Sequence, residues 1–229
     1  MGTMSLQLPP SRALDSELCR FIDAYRARYL GFFLDYFEAH RGEVCRGGYF
    51  SINSVSGRPY GHSYCYSWTD GRSLGELCVA YSLGLGERRR LRPYIEHLRD
   101  ALQERYELNG YFPHVVDERT NLAADSELNV RLTPGQSSYS HVFVLCGLWQ
   151  YELAMGSGDR GGLHAGLLTQ LEWALASDRF LEGSVPRPQG ERSQGPFMIT
   201  LGALVDVVET MAALWADEPE RVLRAAAPL

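Results

Sequence analysis

An arginine and a histidine, each at the start of a predicted apolar helix, are the side chains best placed to do chemistry in this sequence. Arg72 follows the segment 66–71, and His141 lies within the segment 139–145. A guanidinium is a rigid fork of hydrogen-bond donors, which suits an oxygen on which negative charge develops. An imidazole can release or accept a proton near neutral pH. Because a cation near a helix N-terminus opposes the helix dipole, Arg72 is expected to have a specific reason for its position.

The sequence lacks the motifs for metal binding, for a Schiff-base lysine and for a phosphate-binding loop. The histidines show neither H-x-x-x-H nor H-E-x-x-H spacing, and the five cysteines include no C-x-x-C pair, so no metal site is expected. All 22 basic residues are arginine, which removes a Schiff-base or phosphate-loop lysine from consideration. The sequence therefore predicts no metal and no cofactor.

The elements that must position these residues form a repeat. Gly47-Gly48-Tyr49-Phe50 recurs 62 positions later (110 − 48 = 62) as Asn109-Gly110-Tyr111-Phe112, and a degraded third copy lies at 179–183. Each of the first two copies precedes a short polar turn and a long amphipathic stretch. Self-similarity at such a period indicates repeated units, here of helix, small β-hairpin and helix.

Hydrophobic periodicity predicts seven helices, at 15–39, 70–85, 93–106, 138–155, 163–177, 197–215 and 218–226. Short strand pairs are predicted at 42–62 and 109–117. The second, fourth and sixth helices are the most apolar, which indicates an inner layer covered by more charged outer helices. The predicted fold class is all-α with minor β: a partial (α/α)6 toroid made of three helix hairpins, with short β-hairpins at one rim.

Composition places the chain among soluble globular proteins. It has 229 residues, of which 45% are hydrophobic and 22% charged, and its net charge of −6 disfavours nucleic acid and anionic membranes as partners. Cys78 and Cys146 lie on apolar helix faces and are expected to be reduced core residues. No secretory leader and no uninterrupted apolar run of membrane-spanning length is found, so a cytoplasmic location is predicted. Residues 1–13 are predicted to be a disordered leader and 14–229 a single domain.

Three repeats leave a toroid open. A closed ring of six such units would need about 370 residues, so inner helices at the open edge lack neighbours. Exposed apolar faces of that kind usually mark an interface. The chain is therefore predicted to form a homo-oligomer or to bind a partner chain that covers the open toroid edge. The alternatives are that it is part of a longer chain or that the open fold is capped in another way.

The sequence resembles the N-acylglucosamine 2-epimerase family of sugar epimerases and isomerases, which fold as (α/α)6 barrels. Gly47-Gly48-Tyr49-Phe50 together with residues 66–72 resembles the family's G-G-F-F followed by a tryptophan and an arginine that opens an inner helix. Residues 139–145 resemble its Y-x-H-x-F-x-L helix start, and 186–189 with 195–198 resemble the next loop and inner helix. The likeness spans about residues 15–225 and the first half of the family barrel.

The resemblance implies proton removal and return at C2 of a ring-opened (N-acyl)hexose, a small-molecule sugar. It implies that Arg72 donates hydrogen bonds to the developing enediolate oxygen and that His141 acts as an acid or base. The residues that it implies for substrate binding are Tyr49, Tyr66, Trp68 and Met198.

The same resemblance implies that the chain is not self-sufficient as an enzyme. The family's principal acid/base histidines lie mostly in the second half of its barrel, and Ile199 and Gly202 stand where some relatives carry a histidine and a glutamate. The alternative function is therefore a non-catalytic carbohydrate-binding or regulatory half-barrel that associates with a partner.

Each site residue also has a structural interpretation. Arg72 could be held by a nearby carboxylate such as Asp70 or Glu76, and His141 could be a core histidine hydrogen-bonded to backbone. The aromatic residues could stack on a sugar, but aromatic side chains that flank a strand pair are more often part of the core.

Overall fold

The computed structural model describes residues 12–25, 30–31, 34–35, 38, 64–84, 87–156, 163–182, 193–215 and 219–226. Within this part the chain is mostly helical with very short strands, which confirms the expected all-α class with minor β. The chain divides into two units, 1–41 and 42–229. The first contains helix α1, Arg12–Tyr25, so its helix begins inside the segment expected to be a leader, of which residues 1–11 lie outside the described part.

The second unit carries the remaining elements. In chain order they are β1 (Tyr64–Tyr66), α2 (Ser67–Ser82), α3 (Arg88–Asn109), β2 (Val115–Asp117), β3 (Ser137–Ser138), α4 (Tyr139–Met155), α5 (Leu163–Ala176), β4 (Phe180–Leu181), α6 (Gly195–Trp215) and α7 (Pro219–Ala226).

Helices α4 to α7 begin and end within two residues of the predicted bounds, whereas α3 begins earlier than expected. Pro93, expected at the first helical position, lies inside α3. The arginine run 88–90, which lies between the predicted helices 70–85 and 93–106, forms the first turn of α3. The N–H groups of Arg90 and Leu91 donate to the carbonyl of Glu87. Arginine is a good helix former, so an exposed run of it can extend a helix in the N-terminal direction.

Among the described residues the named strands pair with partners far along the chain, and Val116 of β2 also forms a local antiparallel bridge with Ala123. β1 pairs antiparallel with β2, Cys65 opposite Val116, and β3 pairs parallel with β4. The hairpin expected at 109–117 is not formed, because Asn109 ends α3 and Gly110 caps it in the left-handed conformation, with φ 73°. The strand pair expected at 42–62, which includes Tyr49, lies outside the described residues.

Three helices, α2, α4 and α6, run in the same direction. Gly71 approaches Phe143 and Val144, and Gly75 four residues on approaches Gly147, so α2 and α4 are parallel. The start of α6 lies beside Tyr139 at the start of α4, and its middle contacts Gln150, so α6 follows the same direction. Helices α3 and α5 connect these three helices along the chain and run in the opposite direction. Arg105 near the end of α3 contacts Asp70 near the start of α2, and Trp149 of α4 stacks on His164 near the start of α5.

Helix α4 forms the centre of the core. It is buried on nearly all sides, as its apolar composition predicted, and Cys78 and Cys146 are buried free thiols, also as predicted. Helix α6 differs from the expected inner helix: Val207, Thr210 and Leu214 are buried, and most of its other large apolar side chains are exposed. Among the described helices it is the one long and apolar enough to cross a membrane, with mean hydropathy 1.8 over its 18-residue window.

Candidate functional site

A cleft of about 470 Å³ lies between the three parallel helices. Its floor contains glycine and apolar side chains, including Gly71, Gly75 and Gly147. Its polar lining is contributed by all three helices and consists of Arg72 and Glu76 from α2, Gln150 from α4, and Asp206, Glu209 and Thr210 from α6. One cation, three carboxylates, an amide and a hydroxyl thus share one concave surface.

The glycines bring α2 and α4 into backbone contact and so determine where Arg72 lies. A Cβ atom added to Gly71 would come within 2.6 Å of the backbone nitrogen of Val144 and 2.7 Å of the carbonyl of Phe143. A Cβ atom at Gly147 would collide with the carbonyl oxygen of Gly71. Since neither contact can be relieved by a side-chain rotation, the crossing requires glycine at both positions.

Arg72 lies at the cleft, on the exposed side of α2. Its guanidinium carbon stands 5.3 Å from the centroid of the Phe143 ring, which is a cation–π distance. Arg72 makes no ion pair with any of the residues that the structure describes. The carboxylate of Asp70, offered by the sequence as its partner, is instead bound to Arg105. Within the described part of the chain, the donors of Arg72 thus have no protein acceptor.

Gln150 is held in one orientation by α6. Its amide Nε2 donates to the backbone carbonyl of Asp206 at 3.1 Å and to the hydroxyl of Thr210 at 3.0 Å. Because a carbonyl can only accept, the amide nitrogen must be the atom on that side. Oε1 of Gln150 is buried and has no hydrogen-bond partner in the described structure. An unpaired buried acceptor at the cleft wall is a place for a ligand donor.

A buried polar network fixes the start of α2 behind the cleft. Arg105 has no solvent exposure and donates to Asp70 Oδ2 at 2.8 Å, Asn121 Oδ1 at 2.8 Å and Ser67 Oγ at 3.1 Å. Ser67 in turn donates to the carbonyl of Pro113. Burial raises the pKa of Asp70 to about 7, and the charge and hydrogen bond of Arg105 partly oppose that rise. The network ties α2, α3 and the segment after α3 together.

The structure places His141 in the core, outside the residues that line the cleft. Its Nε2 accepts a hydrogen bond from the N–H of Phe112 at 3.4 Å, so the proton lies on Nδ1, which is 3.5 Å from Ser137 Oγ. Burial lowers the pKa of His141 to about 4, and the ring is therefore neutral at physiological pH. This is the geometry of the backbone-bonded core histidine that the sequence left as an alternative.

Of the other sequence-predicted residues, the structure describes Tyr66, Trp68 and Met198. Trp68 is half-buried against Phe143, with ring centroids 6.2 Å apart, and Tyr66 contacts His114 edge-on at 5.8 Å. Met198 is 68% exposed near the start of α6. None of the three lines the cleft, and Tyr49 lies outside the described residues.

Sequence reasoning missed the cleft's polar residues on α4 and α6. A signal existed for two of them, since Asp206 and Glu209 are the only charged residues between positions 195 and 215. Gln150 gave no signal, because its role depends on the neighbouring helix. The letters G-x-G-x-x-G also occur at 156–161, but they follow the end of helix α4 and not a strand, so the context of a dinucleotide site is absent.

The fold and the cleft together define a mostly helical protein in which three parallel helices line an open cleft of small-molecule size, with polar groups around an apolar floor. Comparison with known family models, with curated proteins and with solved structures finds no match to this chain.

Proposed function

We propose that the cleft between α2, α4 and α6 binds a sugar. A sugar presents hydroxyl groups that both donate and accept, together with an apolar ring face. The cleft offers guanidinium donors from Arg72, carboxylate acceptors and the unpaired Oε1 of Gln150, above a floor of glycine and apolar side chains. Its volume of about 470 Å³ falls within the usual range for small-molecule sites.

The observation that carries this proposal is that the charged groups of the cleft do not form ion pairs with one another among the described residues. Arg72 is stacked on Phe143, and among the described residues it forms no ion pair with Glu76, Asp206 or Glu209, although all four line one cleft. Charged groups that stay apart in a shared cleft remain available to a ligand.

A second candidate is proton transfer at C2 of the bound sugar, as in the sugar epimerases and isomerases that the sequence resembles. It is favoured by carboxylates on two opposite walls, Glu76 on α2 and Asp206 and Glu209 on α6, which could supply a base and an acid on either side of a substrate. Arg72 would then hold the enediolate oxygen. Under this proposal the parallel helices and their returning partners form part of an α/α toroid, in a cytoplasmic protein.

Binding is tested by titrating N-acetylglucosamine, N-acetylmannosamine, mannose and glucose into ¹⁵N-labelled protein. The amide signals of Gly71, Gly75 and Gly147, which lie at the cleft floor, are expected to shift with saturation. Arg72→Ala should weaken binding at least about tenfold, the size of one lost charged hydrogen bond.

The matched control is Arg92→Ala, which removes an exposed arginine of α3 that pairs with Glu96 away from the cleft. Equal losses in both variants, or no shift with any of the four sugars, would contradict the binding proposal. The second candidate is separated by incubating the same samples in deuterated water. Deuterium entry at C2 that disappears in Arg72→Ala supports catalysis, whereas binding without exchange leaves a binding protein.

A further inference from the structure

Helix α6 carries a stripe of exposed apolar side chains whose spacing alternates between three and four residues. We call this stripe the α6 seam, and it consists of Met198, Leu201, Val205, Val208, Ala212 and Trp215. All six are exposed, and the exposed fractions of the five larger ones are 68, 66, 43, 60 and 51% in chain order. A 3-4 spacing sustained over 18 residues is the heptad pattern by which one helix packs along another.

The seam lies opposite the face by which α6 joins its own fold. Val207, Thr210 and Leu214 are the residues that are buried toward α4, and Val207 and Leu214 belong to the core cluster around Trp149. On a helix these positions are about half a turn away from Val205, Val208 and their seam neighbours. Within the part of the chain that the structure describes, this apolar stripe of α6 is therefore exposed to water although the other side of the same helix is packed.

We propose that the α6 seam is the interface of a two-fold symmetric dimer, in which α6 packs antiparallel against α6 of a second copy. The seam is symmetric about the midpoint between residues 206 and 207, so an antiparallel pair sets position 198 opposite 215, 201 opposite 212 and 205 opposite 208. Leu201 would then meet the partner's Ala212, and Val205 the partner's Val208, so that each central layer has a similar total volume. The proposal concerns a surface outside the cleft and does not depend on the ligand.

The available area fits a reversible dimer. A fully exposed aromatic side chain offers about 150–250 Å², and the larger seam side chains are about half to two-thirds exposed. Together the seam side chains therefore expose on the order of 500 Å² per copy. A standard stable interface buries about 800 Å² per partner. The seam is also uncharged, so two copies meet without like-charge repulsion along it. We therefore expect dissociation at micromolar concentration and not a permanent dimer.

A bilayer is the rival occupant, because α6 is long and apolar enough to cross one. Two features favour the second copy. Asp206 and Glu209 stand near the middle of the helix, where a spanning segment would carry them into hydrocarbon. The burial of Val207 and Leu214 against α4 also ties α6 to its own fold along one side.

Sedimentation velocity of the full chain over about 1–200 μM tests the proposal. The wild type is expected to shift from monomer to dimer across this range. Val208→Glu should raise the dissociation constant of the dimer at least about tenfold, because it places a charge opposite Val205 in both of the two central contacts of the interface. Leu108→Glu is the matched control, since Leu108 is similarly exposed on α3 but lies outside the seam. Circular dichroism of each variant confirms that it is folded.

Pairwise cross-linking tests the antiparallel register. In a background with Cys19→Ser and Cys45→Ser, protein carrying Val205→Cys is mixed with protein carrying Val208→Cys and oxidised. The antiparallel dimer is expected to give a covalent heterodimer in the mixture and little product from either protein alone, whereas a parallel pair would link each protein to itself.

The proposal is overturned by a wild type that remains monomeric at 200 μM, and equally by a dimer that Val208→Glu leaves intact. It is also overturned if the monomer floats with phosphatidylcholine vesicles, since α6 would then be covered by lipid.

Discussion

The glycine crossing between α2 and α4 gives the sharpest test of the structure. We expect Gly71→Ala to destabilise the fold and to displace Arg72, because the added methyl group would lie 2.6 Å from the nitrogen of Val144 and 2.7 Å from the carbonyl of Phe143. All of the crowded atoms belong to backbone, so relief requires the two helices to move apart by several tenths of an ångström.

The expected magnitude combines two opposing effects. Alanine is a better helix former than glycine by about 1 kcal/mol, which favours the variant. Overpacking at a rigid contact costs about 1–3 kcal/mol and occasionally more, and a methyl group against backbone belongs at the upper end of that range. The net free energy of unfolding is therefore expected to fall by about 1–2 kcal/mol, which corresponds to roughly 2–8 °C in Tm for a chain of this size.

Gly166→Ala is the matched control. Gly166 lies in α5, and a Cβ atom built there meets nothing within 4 Å, so the same substitution should stabilise the protein by about 0.5–1 kcal/mol. Urea unfolding followed by circular dichroism measures both variants. If Gly71→Ala proved as stable as Gly166→Ala, the close crossing of α2 and α4 would be refuted, and with it the position of Arg72 at the cleft.

Three further predictions concern the buried polar groups. Arg105→Leu should lower the free energy of unfolding by about 3–5 kcal/mol in urea melts, because it leaves three buried acceptors, Asp70, Asn121 and Ser67, without the donor that they share. The folded protein keeps the His141 ring neutral down to a pKa of about 4, so this residue lowers the free energy of unfolding of the wild type as pH falls from about 6.5 to 4. His141→Gln should reduce that loss by about 3 kcal/mol. Asp70→Asn should remove a contribution to the free energy of unfolding whose dependence on pH is opposite to that of His141. Because burial raises the pKa of the Asp70 carboxyl to about 7, this group stabilises the folded protein by about 4 kcal/mol below pH 4, and the stabilisation is lost as pH rises to about 7.

The two pH effects are distinguishable because they oppose each other between pH 4 and 6.5. The wild type should show a nearly flat contribution from this pair, whereas stability should fall with rising pH in His141→Gln and rise with pH in Asp70→Asn. Urea melts at half-unit intervals of pH measure both slopes. Parallel profiles for all three proteins would contradict the burial of these groups.

The helices were the part of the fold that the sequence could predict. Helix α4 is apolar on nearly all sides and is followed by a glycine-rich segment, and both signals are local, so its limits were predicted to within one residue. The strands could not be predicted in the same way, because β1 pairs with a segment about 50 residues away. The echo of Gly48 at Gly110 turned out to mark a helix cap in its second copy, since glycine serves turns and caps equally well.

The site was predictable only in part, for a related reason. Arg72 could be selected because a cation at a helix N-terminus is locally unfavourable, and it lies at the cleft. Arg105 could not, because along the sequence it is one more arginine on a charged helix. Its complete burial depends on Ser67, Asp70 and Asn121, which the fold brings from other segments. Polar networks of this kind depend on residues that are distant in sequence and close in the fold, so they cannot be predicted from sequence periodicity.

Helix α6 shows the limit of the hydrophobic pattern itself. Apolar residues indicate that a face is to be covered, but they do not say by what, and α6 is apolar on two faces of which α4 covers one. The seam residues and the cleft residues of α6 are different residues: Val208 belongs to the seam, whereas Asp206, Glu209 and Thr210 line the cleft. Association and ligand binding can therefore be tested separately. A Val208→Glu protein that is monomeric yet still binds a sugar would show that the cleft is complete within one copy, whereas loss of both properties together would show that the second copy helps to shape the cleft.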